Sequence, residues 1–296
     1  MRPTRLRFTA IALTVATLLP FVAATPATAI TLQRSWSAHL GTSGVNGALA
    51  VRAYTNGVGS VTYDVRRLRA NATYAVQVRY GTCTRLGSVA TRLPNIRTGA
   101  TGAARRTFNL YPWTMTGFWK AARSTSFVVR FASGTSVRCK AFSFVHATRV
   151  AITTLGINLP VMRGPSGYPY CRVAMYQASV AQPREPGITF IYAHARTGMF
   201  LPLLTAWRRT AGRSLIGRTV KVWTSDSRVS YYRIVSVRKT TRPMAGVTTL
   251  SRERLWLQTS TGPNYTYPKL IVEAVRYSTV RTTYAASHPT PHPVRC

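Results

Sequence analysis

The chain has 296 residues, 46% of them hydrophobic, and a formal net charge of +35 from 40 Lys and Arg against 5 Asp and Glu. Its apolar content excludes a disordered chain and is enough for a core in each of two ordinary domains. The charge excludes indifference to polyanions, since such a surface attracts wall polymers, acidic headgroups or nucleic acid; yet the arginines form no block, and a composition bias with a solvated surface explains them equally well.

At the N-terminus, Arg2, Arg5 and Arg7 precede an apolar run from Phe8 to Ala24 and small residues ending Ala27-Thr28-Ala29. This order predicts a secretory signal over residues 1–29, or an N-terminal membrane anchor if it is not cleaved. Either way the remainder lies outside the cytoplasm, secreted or at the cell surface, and meets a membrane only if that segment is retained. An exported chain with an even number of cysteines favours two disulfides. Cys83, Cys139, Cys171 and Cys296 allow three pairings; a domain boundary near residue 147 puts two in each half and favours Cys83–Cys139 and Cys171–Cys296. A rival reading leaves Cys171 as a reactive thiol.

From residue 30 to 147 the pattern has period two. Val61, Tyr63 and Val65 alternate with polar neighbours, as do Tyr74, Val76, Val78 and Tyr80, then Phe127, Val129 and Phe131. Asn56-Gly57 marks a hairpin turn, and Met115 to Ser124 fits one short helix. An antiparallel β-sandwich is predicted, acting as a binding or spacer domain. His39 and His146 are isolated and Asp64 has no acidic neighbour in sequence, so no site is read here. Asn71-Ala72-Thr73 and Asn264-Tyr265-Thr266 fit the glycosylation acceptor pattern, which arises often by chance.

A second strand-rich unit covers residues 148–280. Its predicted strands are "VAITTLGI", "CRVAMYQAS", "GITFIYAHA", "TVKVWTSD", "VSYYRIVSVRK", "RLWLQTS" and "KLIVEAVRY", with one helix in "TGMFLPLLTAWRRT" that takes Pro202 in its first turns. Seven or eight strands with one short helix predict a closed barrel. The fold class is therefore all-β, a sandwich followed by a barrel. Residues 281–296 form a Pro/His tail tied back by Cys296. His288 and His292 in it could ligate a metal, but an extended Pro-rich arm is the simpler reading.

Polar residues just beyond rigid strands are held accurately while staying accessible. His194 follows "ITFIYA", Ser260 ends "RLWLQTS" and Lys269 opens "KLIVEAV". With "INLPV" and "PREPGITFIYAHA", these segments resemble the sortase family over about residues 148–280. That resemblance implies a secreted or membrane-tethered transpeptidase with an eight-stranded barrel, a catalytic His, a Cys ending its strand, and an Arg opening the next. His194 matches the family histidine, with Ala193 where Gly is usual; Ser260 occupies the cysteine position and Lys269 the arginine position.

These substitutions bear on mechanism. A thiol has a free pKa near 8.5 and ionises readily, whereas a serine must lose its proton to a base during attack. The expectation is a serine-type transpeptidase or hydrolase acting on a cell-surface peptide or protein, with Ser260 as nucleophile, His194 as base and Lys269 as electrostatic stabiliser. Asp226 and Glu253 are the acids free to orient His194. The alternative is a catalytically inactive protein of the same fold that binds wall peptides or anionic wall polymers; nucleic acid is not an expected partner. The chain lacks H-E-x-x-H, C-x-x-C, phosphate-loop and G-x-S-x-G motifs, so neither cofactor nor metal is expected.

Overall fold

A computed structural model describes residues 32–40, 46–124, 126–165, 168–247, 252–262 and 267–296. The signal segment, the 264–266 acceptor tripeptide and Pro263 lie outside the described residues.

The N-terminal strands are β1 (Leu32–His39), β2 (Asn46–Tyr54), β3 (Gly59–Arg66), β4 (Thr73–Gly81), β5 (Leu86–Arg97), β6 (Ala104–Leu110), β7 (Phe127–Ser133), β8 (Ser136–Ala141) and β9 (Ser143–Phe144). They form two sheets, ordered β6-β3-β2-β1-β9 and β5-β4-β7-β8. The predicted alternation is what places one face of each sheet inward: Tyr63, Tyr74, Phe131 and Trp36 are almost wholly buried in one shared core. Asn56-Gly57 turns β2 into β3, with Gly57 at φ +82°. Helix α1 (Pro112–Arg123) opens on its proline, three residues earlier than the sequence pattern indicated, and packs Met115, Phe118, Ala121 and Ala122 into that core. A Cβ on Gly117 would meet the Ala90 carbonyl at 2.7 Å, so glycine is what lets the helix lie this close to β5.

The barrel is built from β10 (Ala147–Ile152), β11 (Ile157–Arg163), β12 (Ala174–Tyr176), β13 (Ile188–Tyr192), β14 (Thr219–Thr224), β15 (Arg228–Thr240), β16 (Arg254–Ser260) and β17 (Lys269–Arg281). Its order is β10-β11-β12-β13-β16-β17-β15-β14, and pairing of β14 with β10 closes it. The segment "VAITTLGI" is two antiparallel strands rather than one. A turn of 3-10 helix over Thr153–Leu155 breaks it, and Gly156 at φ +64° supplies the left-handed residue that reverses the chain. Helix α2 (Leu201–Thr210) buries Leu203, Leu204 and Ala206 against the barrel, with Pro202 in its first turn. A last short helix, α3 (Tyr284–Ser287), interrupts the tail.

Both disulfides form as Cys83–Cys139 and Cys171–Cys296, and no cysteine is free, which removes the reactive-thiol reading of Cys171. Among the described residues no helix is long and apolar enough to cross a membrane.

Candidate functional site

Register brings the three predicted residues to one end of the barrel. Strands β13 and β16 run parallel, with Tyr192 opposite Gln258, and the Ala193 amide donates to the Gln258 carbonyl at 3.1 Å. His194 therefore emerges level with Ser260. Strands β16 and β17 are antiparallel with Ser260 directly opposite Lys269, and facing residues of such a pair bring their side chains within reach.

The result is a direct contact: Lys269 Nζ donates to Ser260 Oγ at 3.0 Å. Lys269 is only 5% exposed, although its Nζ also lies 4.9 Å from the centre of the Tyr267 ring. Burial pushes its ammonium below the ordinary lysine range, because desolvation penalises the charged form. Ser260 is half-buried and opens onto a groove of about 630 Å³.

His194 lines the same groove, but its Nε2 lies 3.0 Å from the Pro169 carbonyl and its ring packs on Tyr168 at 5.0 Å. A carbonyl only accepts, so Nε2 carries the proton and donates. No hydrogen bond joins His194 to Ser260 among the described residues. The two acids expected to orient it are committed elsewhere. Asp226 pairs with Arg184 and Arg228, while Glu253 accepts from the Tyr232 hydroxyl and pairs with Arg276. Neither lines the groove.

Sequence reasoning missed Arg208. It stands on α2, and its Nη2 donates to the carbonyl of Thr261, one residue past Ser260, at 3.3 Å. Nothing in "AWRRT" signals this, because it depends on how α2 docks. Phe190, Tyr192, Leu204 and Met244 share the remaining walls with the polar side chains of Gln177, Arg196 and Gln258.

The Cys171–Cys296 disulfide borders the site. Its sulfurs and a His194 ring nitrogen lie within 4.8 Å of one another, but both sulfurs are spent in the bond and offer no thiolate to a metal. His288 stacks on Tyr284 and its Nδ1 meets the Ser287 hydroxyl and the Tyr284 carbonyl. The crosslink spans 125 residues of sequence and holds the segment carrying Pro169. Cys296→Ser is expected to cost about 2–5 kcal/mol, measured by denaturant unfolding; an unchanged midpoint would show that the tie carries no stability.

No protein-family model matches the chain, and no curated protein matches it. Solved structures do. Sortase A of Listeria monocytogenes aligns at 16% identity and TM-score 0.39, covering 49% of this chain and 98% of that one. The Group B Streptococcus Pilus Island 1 sortase C2 aligns at 18% identity and TM-score 0.36, covering 44% and 73%. Streptococcus pneumoniae sortase C aligns at 17% identity and TM-score 0.37, covering 45% and 69%.

Proposed function

We propose that this is an exported acyl transferase or hydrolase of sortase type that acts on cell-surface peptides through a Ser260–Lys269 pair. The observation that carries the reading is the 3.0 Å contact between Lys269 Nζ and Ser260 Oγ on a buried, pKa-depressed lysine. A neutral amine is a base that a serine hydroxyl can use; an ammonium is not. This gives Lys269 the role that sequence reasoning assigned to His194, whose Nε2 is turned to Pro169.

In the first half-reaction Ser260 Oγ attacks the carbonyl carbon of a peptide lying in the groove, and its proton passes to Lys269 Nζ. Collapse of the tetrahedral intermediate breaks the C–N bond, the leaving amine takes that proton, and an acyl-serine ester remains. In the second half-reaction an amine or water gives a proton to Lys269 Nζ and attacks the ester. Ser260 then leaves as the alcohol, reprotonated from Lys269.

A lysine occupied as base cannot also serve as the standing cation for the oxyanion. Arg208 is the permanent charge held beside the nucleophile by its bond to the Thr261 carbonyl. His194 has the role of holding the Tyr168–Pro169 wall.

An active-serine phosphonate probe tests this. Mass spectrometry should place the adduct on Ser260, with none in Ser260→Ala. Arg208→Ala should slow labelling by about 10²-fold, with Arg208→Lys recovering part of the loss. Wild-type protein that stays unlabelled across the accessible pH range would leave a protein that binds peptides without cleaving them.

A further inference from the structure

Beside the reaction groove lies a second cavity of about 560 Å³, bounded by β11, the Cys171–Arg172 segment, the Arg196–Met199 loop and the C-terminal tail. Arg172, Arg196 and Arg295 line it, one from each of three separate segments, and no Asp or Glu side chain does. We infer that this cavity is an oxyanion-binding subsite, contiguous with the groove through Arg196, that takes a phosphate or carboxylate group.

Charge accounting leads to this assignment. All five acidic side chains of the chain are engaged elsewhere: Asp64 with Arg66, Glu185 with Arg34, Asp226 with Arg184 and Arg228, Glu253 with Arg276, and Glu273 with Arg238 and Arg254. Among the described residues the three guanidinium groups of the cavity have neither hydrogen-bond nor ion-pair partners. Like charges that line one concavity disfavour one another, and an external anion offsets this while satisfying planar N–H forks that suit two oxygens at once.

All three arginines are exposed at the cavity, and the backbone that carries two of them is held by construction. The Cys171–Cys296 disulfide and a two-way backbone pairing of Cys171 with Val294 (2.9 and 3.3 Å) fasten Arg172 and Arg295 to the same wall. Arg172 is kept at φ +65°, a left-handed conformation that costs a non-glycine residue about 1 kcal/mol. Gly198, at φ +73°, has nothing within 4 Å of where a Cβ would stand, so the cavity is open at that point. Arg196 lines both cavities. An anion held here therefore lies next to the chain that occupies the groove.

The site does not depend on whether Ser260 reacts, and its test reads binding alone. Inorganic phosphate and acetate are titrated separately into the oxidised protein in chloride buffer, followed by calorimetry. The expectation is one saturable site, lost at least about 10-fold in Arg172→Gln/Arg196→Gln/Arg295→Gln and weakened in Cys296→Ser. The ratio of the two affinities tells a phosphate-bearing from a carboxylate-bearing ligand. The control Arg97→Gln/Arg105→Gln/Arg106→Gln removes the same charge from exposed positions of the N-terminal sheets and should leave binding within about 2-fold. Equal losses in the two triple variants, or no saturable binding of either anion, would overturn the assignment and leave only diffuse surface charge.

Discussion

Replacing Lys269 with Met is expected to lower the rate of Ser260 acylation by about 10³–10⁴-fold, the range for loss of a positioned general base. The hydroxyl would keep its place at the end of β16 but lose the amine that lies 3.0 Å from it. Stability should move the other way. Burial lowers the Lys269 pKa in the folded protein, so the stability linked to this group is present above the ordinary lysine value and is lost as pH falls through the folded value. At neutral pH the lysine is therefore a burden on the fold, and the Met variant should melt no lower than wild type. Labelling rate and melting temperature, measured on the same preparation, check both halves. The rate of the wild type should also rise with pH, with a midpoint below the usual lysine pKa. A Met variant that reacts normally would return the base role to His194.

The largest stability effect is expected at Arg34. This residue of β1 is 3% exposed and reaches 151 residues along the chain to Glu185, placing both carboxylate oxygens 2.9 Å from its Nε. Its Nη1 donates to the Ala178 carbonyl at 3.0 Å and Nη2 to that of Val180, while its plane lies 5.3 Å from the rings of Trp119 and Phe144. The contact joins the N-terminal sheets to the barrel. Arg34→Met leaves a buried carboxylate without its ion-pair partner, held only by the Gln182 amide and the more distant charge of Arg184, and two carbonyls without their Arg34 donors, at a cost of about 3–5 kcal/mol at neutral pH. Burial already pushes the Glu185 carboxyl above its ordinary range, against the pull of Arg34. Removing the arginine raises it further. A carboxyl raised on folding favours the native state at low pH and loses that contribution as pH rises through its folded pKa. The penalty should therefore shrink in acid and be full at neutral pH. Urea unfolding at the two pH values measures it, and Arg34→Met/Glu185→Leu should recover most of the loss. A single variant as stable as wild type would show that the bridge is incidental to how the two parts hold together.

The barrel was legible where alternation is strong. "RLWLQTS" coincides with β16, and β14, β15 and β17 fall where Val, Tyr and Ile alternate with polar residues. The disulfide pairing followed from which half each cysteine occupies. The reversal at Gly156 was not legible, because Val150 to Ile157 is apolar enough to pass for one strand and only the positive φ marks the break. Which of the three side chains touch was not legible for a related reason: sequence spacing places His194, Ser260 and Lys269 at strand ends but carries no information on side-chain direction. Asp226 and Glu253 were free in sequence and bound to arginines and Tyr232 in space.

By itself, then, the sequence determined the strand-rich order, the pairing of the four cysteines, and three polar residues at strand termini, since these depend on local periodicity, residue type and position along the chain. Tertiary structure alone decided which of the three meet. Pairing of β16 with β17 sets Lys269 opposite Ser260, closure of the barrel desolvates the amine, and docking of α2 delivers Arg208 to Thr261. A proton's partner is chosen by distances of about 3 Å and by local dielectric, and both arise only when segments far apart in the chain are packed together.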